Sequence, residues 1–251
     1  MDDDLDRLET KIDKRKMRKK RSEDQSVVES VFDTETQKVI YELYSRKIID
    51  ELGFAISTGK EANVYFAYGP KEDLAVKIYR IKTAEPRFMW PYVIGDPRFK
   101  HIRRKTRDLI FLWAEKEYKN LIRAKNAKVR VPTPIAVRKN VLVMEYIAKD
   151  GDPAPLLKDC TLSEPQKVFD TIMQYVKYLY QNAKLIHADL SEFNILFPDE
   201  PVIIDISQGV VLDHPKAQEF LIRDLKNILR FFSSYEIKIL TLETAYNYVT
   251  G

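Results

Sequence analysis

The stretch LIHADLSEFNILF, residues 185–197, sets a His, two carboxylates and an Asn among apolar neighbours. Asp189 and Asn194 stand five apart just before the apolar run ILF (Ile195–Phe197), and Asp205 closes the next apolar run, VII (Val202–Ile204). The two runs flank PDEP, a turn-forming tetrapeptide, so they read as an antiparallel hairpin. In that pairing Ile195 faces Ile204, and Asn194 faces Asp205 at the open end. Opposed residues have Cβ atoms about 5 Å apart, near enough for an amide oxygen and a carboxylate to share one hard cation. Mg²⁺ takes one or two such protein ligands and completes its shell with water and phosphate oxygens. Asp189, in the loop before the hairpin, is free to take a proton from a hydroxyl or a water. Taken singly, each of these residues reads better as a turn cap or a strand end. Together, with His187 before Asp189 and Asp205 ending an apolar strand, they favour a site.

The same segment resembles the catalytic loop and metal motif of protein kinases, in which H-R-D is followed by an Asn five residues after the Asp and then by D-F-G. Here the residues are His187-Ala188-Asp189, Asn194 and Asp205-Ile206-Ser207. Three departures stand out: Ala188 replaces the Arg, Ser191 the usual Lys, and Ser207 the Gly of D-F-G. Loss of the Arg argues against control by an activation-loop phosphate. A second part of the pattern lies upstream. STGKEANV (Ser57–Val64) fits the frame of the glycine-rich loop, with Ser57 and Ala62 at two glycine positions. Gly59, Ser57, Lys60 and nearby backbone amides would cradle phosphate, although a tight turn between strands accounts equally for this stretch. Lys77, in the apolar strand AVK, needs an anion unless it snorkels from an edge strand. Its acidic partner should come from the following helix, from Glu115 or Glu117. Glu117 shares a face with Trp113 and Leu121 and is the better choice. VLVMEYI (Val141–Ile147) resembles the connection between kinase lobes. Backbone groups of Glu145 and Ile147 would bind adenine there, and Met144 would line the pocket behind it.

These groups need elements to hold them. SVVESVFDTETQKVIYELYSRKIIDEL has apolar residues at helical spacing. GFAIST, ANVYFAYG and LAVKIYRI read as a strand meander. From Arg80 to Lys105 the pattern dissolves around Pro86, Pro91, Gly95 and Pro97, which predicts a long flexible loop. DLIFLWAEKEYKNLIRAKNA is a helix, VPTPIAVRKNVLVMEYI a hairpin turning at Lys139-Asn140, and EPQKVFDTIMQYVKYLYQNA a longer helix. HPKAQEFLIRDLKNILRFFSSY closes the chain as one more helix. The order predicts an α+β protein: a small β-rich lobe, a helical lobe and a cleft between them. The expected divisions are an N-terminal basic arm with helices (1–48), the β-rich lobe (49–147) with its loop at 80–105 and hinge at 145–147, and a reduced helical lobe (148–251).

The chain has 251 residues and a net charge of +4, with both signs well mixed, which fits a globular protein in water. Its single cysteine, Cys160, permits no internal disulfide and fits a reducing cytoplasm. No apolar run approaches the roughly 20 residues of a membrane span, and the N-terminus lacks the apolar core of a secretory signal. KRKMRKKR (Lys14–Arg21) and RFKHIRRKTR (Arg98–Arg107) are basic. Each reads either as a solvated segment or as a contact to a phosphate backbone.

In combination, STGKEANVY, LIHADLSEFN, IIDISQ and DHPKAQEFLIRDLKNILRFF resemble the atypical RIO protein kinases, first subfamily, over roughly Phe54–Tyr235; the short extensions are similar to archaeal members. The resemblance implies a trimmed bilobal kinase-like fold without the usual activation loop and peptide-binding helices. It implies a serine/threonine kinase with ATPase activity, binding ATP and Mg²⁺ (Mn²⁺ substituting) and acting on the small ribosomal subunit precursor and its rRNA. Asp189 would be the base, Asn194 and Asp205 the metal ligands, and Lys77 the contact to the α/β phosphates. Asp205 would also be an aspartyl-phosphate site, as carboxylate nucleophiles are in some ATPases. About 46 residues follow Asp205, little room for a peptide platform, so water or the protein's own serines would serve as acceptor more readily than an extended protein phospho-acceptor. Two other readings use the same residues: a small-molecule kinase of the aminoglycoside type, and a non-catalytic RNA-binding scaffold that senses ATP.

Overall fold

Alternating apolar residues, β-branched or aromatic, with turns at Gly59 and Gly69, build the first sheet. The computed structural model describes residues 32–81, 85–99 and 105–251. Helix α1 (Thr34–Ser45) starts at Asp33, whose carboxylate caps the N–H groups of Glu35 and Thr36 at 3.1 and 3.2 Å. Strands β1 (Glu51–Thr58), β2 (Ala62–Tyr68) and β3 (Asp73–Tyr79) follow. A short helix α2 (Pro86–Met89) and a 3₁₀ turn (Trp90–Tyr92) lead to the long helix α3 (Thr106–Asn126). Strands β4 (Pro134–Arg138) and β5 (Val141–Glu145) complete an antiparallel sheet ordered β1-β2-β3-β5-β4. Helix α1 lays Val39, Ile40 and Leu43 on one face of this sheet, against Val76, Ile78 and Val143. Each such side chain, fully buried, is worth about 1.5–3 kcal/mol.

The second half is mainly helical. Strand pairs β6 (Ala148–Lys149) and β7 (Asp152–Pro153), then helix α4 (Pro165–Gln181), lead into β8 (Leu185–Ile186). Strands β9 (Ile195–Leu196) and β10 (Val202–Ile203) pair with each other, and β11 (Val210–Val211) pairs with β8. Helix α5 (Ala217–Phe232) presents an apolar stripe of Phe220, Leu221, Leu225, Ile228 and Phe232 to the core. A further helix, α6 (Leu242–Thr250), packs on α4 and α5. The sequence reading stopped one helix short here. Ala245 and Val249 of α6 are buried, and its cap is Thr241, whose hydroxyl accepts the Thr244 N–H at 3.1 Å.

Helix α3 ties the halves together. Leu109, Ile110, Trp113 and Ala114 join a cluster under the sheet with Tyr79, Met89 and Val93, while Leu121 and Ala124 belong to the helical core. The fold is the expected α+β kinase-like arrangement of a β-sheet part and a helical part.

Three expectations change. First, residues 85–99 are not a featureless loop. Met89 and Val93 are buried in the α3 cluster, and Tyr92 stacks on Phe220 with ring centroids 5.1 Å apart. Second, Arg98 is not a free basic contact, because its guanidinium is committed to Asp96 and Asn120. Third, the hairpin register is shifted by one. Ile195 pairs with Ile203, not Ile204, and the Ile204 N–H bonds the Asn194 carbonyl at 3.0 Å. The cause is Phe197, whose N–H goes to Pro155 O at 2.8 Å and so leaves the ladder, lengthening the turn to residues 197–201. Asp205 therefore stands one residue beyond the pairing rather than opposite Asn194. Its φ of 55° turns its side chain out of the strand direction. The basic run Lys14–Arg21, the start of the first expected helix and residues 82–84 and 100–104 lie outside the described residues.

Candidate active site

Lys77 lies in β3 between Val64 of β2 and Leu142 of β5. An ammonium there is almost fully buried and must be paired. It is paired twice: Nζ reaches Glu117 Oε1 at 2.9 Å and Asp205 Oδ1 at 2.8 Å. Burial works against its charge, but Asp205 and Glu117 outweigh that and hold its pKa above the ordinary lysine value. Glu117 is 1% exposed, and Tyr79 also donates its hydroxyl to it. Burial lifts the Glu117 pKa, with Lys77 opposing and Asp205 adding to the rise. Partial loss of hydration would lift Asp205, yet the Lys77 ammonium and the Ser207 hydroxyl (3.1 Å) outweigh it and lower its pKa. Glu115, the rejected candidate, pairs on the surface with Lys119.

Asp189 is held from below. Helix α5 supplies Asp224, whose two oxygens accept the N–H groups of Ala188 (2.8 Å) and Leu190 (2.9 Å). Arg223 donates to the Ala188 carbonyl, and Asn227 to that of Leu190 at 3.0 Å. This grip holds Ala188 at φ 67°, a conformation costly for a non-glycine residue. The Asp189 carboxylate accepts Gln208 Nε2 at 3.0 Å, and Asn194 Nδ2 lies at 3.4 Å. Burial and the nearby Asp205 charge raise its pKa, against Arg223, Asn194 and Gln208. A carboxylate so raised is a better proton acceptor.

The donor set fits a hard divalent cation. Asn194 commits its Nδ2 to the Asp189 carbonyl at 2.8 Å, which leaves Oδ1 to face elsewhere. Asp205 uses Oδ1 for Lys77 and Ser207, and Oδ2 bonds no group among the described residues. An amide oxygen and a carboxylate oxygen, with the Asp205 side chain 48% exposed, suit Mg²⁺ with waters or phosphates completing its shell.

The other expected residues fall into two groups. Met144 and Glu145 end β5, and the Glu145 side chain is turned away to Arg130. The Glu145 N–H is taken by Thr133 O at 2.8 Å, leaving its carbonyl as the group it can offer a ligand. The Ile147 carbonyl is taken by Ala154, so the N–H is what Ile147 can offer. Ser57, Gly59 and Lys60 are exposed at the β1–β2 turn, closed by Gly59 N–H to Ala62 O at 3.0 Å. No bond joins them to the Lys77 cluster among the described residues.

Several residues were missed. Glu61, next to Lys60, has its pKa raised by burial and by Asp205. Gln208 orients Asp189. Asp224 carried a legible signal, a lone acid in the apolar stripe of α5. Its pKa is pushed up to about 7, chiefly by burial.

His187 takes no part in the polar cleft. It is buried, with Nε2 on the Ile204 carbonyl at 3.0 Å and Nδ1 without a partner. Burial drops its pKa from 6.5 to about 4. The folded state thus holds fewer protons than the unfolded chain between those values. The stabilisation is complete above pH 6.5 and is lost as pH falls toward 4, about 3 kcal/mol in all. Asp224, raised to about 7, works in the opposite direction over the same range, so the His187 part is read as a difference. By urea denaturation at pH 7, 6 and 5, the parent should lose stability relative to His187→Gln as pH falls.

Residues 63–245 match the family model described as RIO domain. Over the whole chain, 42% of residues are identical to the RIO-type serine/threonine-protein kinase Rio1 of Haloferax volcanii, covering 88% of that protein. The chain belongs to the RIO kinases, Rio1 branch. The RIO kinase Rio1 of Methanocaldococcus jannaschii is 41% identical over 91% of this chain and 79% of its own length. The human serine/threonine-protein kinase RIO1 is 42% identical over 90% of this chain, which spans only 41% of the human protein. Among solved structures, the Rio2 kinase–ADP/Mg²⁺–phosphoaspartate complex from Chaetomium thermophilum superposes with a TM-score of 0.64 at 24% identity, over 86% of this chain and 66% of that one. It shares the fold. By family this RIO kinase is an atypical serine/threonine-protein kinase. Among its described residues, no helix is long and apolar enough to cross a membrane.

Proposed function

We propose that this RIO kinase binds ATP with Mg²⁺ between the sheet and the helical part, and transfers or hydrolyses the γ-phosphate during maturation of the small ribosomal subunit in the cytoplasm. The observation that carries the reading is the single ammonium of Lys77, shared by Glu117 and Asp205 in the cleft that also holds Asp189. Lys77 would turn from Asp205 to the α/β phosphates when nucleotide enters. The Glu145 carbonyl and Ile147 N–H would hold adenine beside Met144, while Ser57, Gly59 and Lys60 would close over the phosphates. Asn194 and Asp205 would hold Mg²⁺, which neutralises charge on the phosphate oxygens. Asp189 would accept the proton of an attacking serine hydroxyl or water.

Asp205 has a second role in this reading. Its free carboxylate oxygen would form a bond to the γ-phosphorus as the bond to the ADP oxygen breaks. Water would then hydrolyse the acyl phosphate and restore the carboxylate. The phosphoaspartate named for the Chaetomium Rio2 complex supports the idea by analogy.

Single-turnover chemistry with γ-labelled ATP and Mg²⁺, with and without small-subunit RNA, tests this. Label is expected to pass through an acid-labile protein adduct to inorganic phosphate, and Asp205→Ala should abolish both. Normal ATP hydrolysis by Asp205→Ala would sink the assignment of this site. Label moving instead to serine would keep the kinase and remove the covalent intermediate.

A further inference from the structure

The loop that carries Asp205 needs support that its own backbone does not give. Asp205 sits in the left-handed region, and Ile206–Gln208 form a 3₁₀ turn ending at Gly209. Ile206 and Ser207 are buried, so the carbonyls here need donors from elsewhere. The Gly209 N–H reaches Ile206 O at 3.2 Å. The remaining donors are side chains.

Two come from helix α3. Lys116 Nζ donates to Ser207 O at 2.8 Å and also to Gly209 O. Asn120 Nδ2 donates to Ile206 O at 2.8 Å and Gly209 O at 3.0 Å. Both residues are 0% exposed. A third comes from the segment after α2. Arg98 Nη2 lies 3.3 Å from Gly209 O, and its Nη1 donates to Asn120 Oδ1 at 2.7 Å. Asp96, its carboxylate fully buried, fixes Arg98 in turn at 2.6 Å. Arg98 thereby sets which end of the Asn120 amide faces the loop. Gly209 is required where it is, since a Cβ would come within 2.9 Å of Asn120 Nδ2.

Lys116 is adjacent to Glu117, which holds Lys77, and Lys77 holds Asp205. Helix α3 therefore meets the Asp205 loop twice, through the ion pairs on one side and through three carbonyls on the other. Without the carbonyl contacts, the Asp205 side chain keeps Ser207 of its own loop and, among the described residues, Lys77 as its one link to another element, the contact that nucleotide would take away.

We propose that Lys116, Asn120 and Arg98 are positioning residues that hold Asp205 in its metal-binding orientation, and that residues 96–98 are thereby part of the site. This rests on the reading of Asp205 as a metal ligand.

The test is ADP binding by calorimetry, at a series of Mg²⁺ concentrations and in EDTA. Lys116→Met should raise the Mg²⁺ needed for half-maximal enhancement of binding about tenfold or more, as loss of groups orienting metal ligands does. ADP affinity in EDTA should stay within about twofold of the parent for a contact that acts only through the metal. Arg98→Ala, at a partly exposed residue, should shift the Mg²⁺ dependence in the same direction, and Arg98→Lys should restore part of it. Arg98→Ala decides the matter if Lys116→Met does not fold. Glu115→Gln, on the surface of the same helix, should change nothing. Unaltered Mg²⁺ dependence in a folded Arg98→Ala overturns the clamp, as does an equal loss of affinity with and without metal. A parent protein whose ADP binding ignores Mg²⁺ overturns the metal-site reading and this inference with it.

Discussion

Asp189→Asn is expected to lower the rate of phosphoryl transfer by about 10²–10⁴-fold, the usual contribution of a positioned base. The change is small in shape. Gln208 can invert its amide to keep its bond, and the grip of Asp224 on Ala188 and Leu190 does not involve the 189 side chain. Stability and ADP affinity should therefore hold while kcat collapses. In the parent, activity should fall as pH drops through the Asp189 pKa. That acid limb should lie above the ordinary aspartate value, because burial and Asp205 raise it. Steady-state kinetics beside ADP titration and thermal melting would check this. A loss below about threefold in kcat would remove Asp189 from proton transfer.

Lys77→Met should cost both activity and stability, and the two should separate. Glu117 is 1% exposed and loses its cationic partner, so the fold should be weakened by about 3–5 kcal/mol near pH 8. Asp205 contributes less, being half exposed to water. The Glu117 pKa is already raised by burial and rises further without Lys77. Protonation on going to pH 5 therefore relieves the unpaired charge, and the deficit should shrink with falling pH. Lys77→Met with Glu117→Gln should recover most of the stability at pH 8 and none of the turnover. Urea denaturation at both pH values, with ATP turnover in parallel, reads this out. A deficit independent of pH and unrelieved by the second substitution would mean that Lys77 acts by packing alone.

The arrangement of residues 85–99 also changes how the small lobe is understood. Proline and glycine spacing there predicts a loop, and the segment is indeed irregular. Yet Tyr92 stacks on Phe220, His214 bonds Ile94 O at 3.0 Å, and Arg98 reaches the Asp205 loop. Those partners lie on α5 and beyond β10, more than a hundred residues downstream.

The sequence alone determined most of the elements and named the polar residues Lys77, Glu117, Asp189, Asn194 and Asp205. Period-two and helical apolar patterns located the strand meander, the hairpin, α3, α4 and α5, because such patterns are local and survive in short windows. The pairing of β3 with β5 that joins meander and hairpin into one sheet came from the fold. The pairing of Lys77 with Glu117 rather than Glu115 followed from the apolar face shared with Trp113 and Leu121. Resemblance to kinases put Lys77 at the phosphates and Asp205 at the metal, and the direct contact between the two appears only in the folded chain. Tertiary structure decided the rest. The hairpin register turned on one bond from Phe197 to Pro155, which no window around the turn contains. The carbonyls that follow Asp205 take their side-chain donors from Lys116 and Asn120, some ninety residues earlier. Asp224 fixes the Asp189 loop from a helix that follows it in the chain. A buried polar side chain shows in sequence only as an interruption of an apolar face. Which carbonyl or N–H it satisfies is set by how the elements pack, and only the folded chain brings the two together.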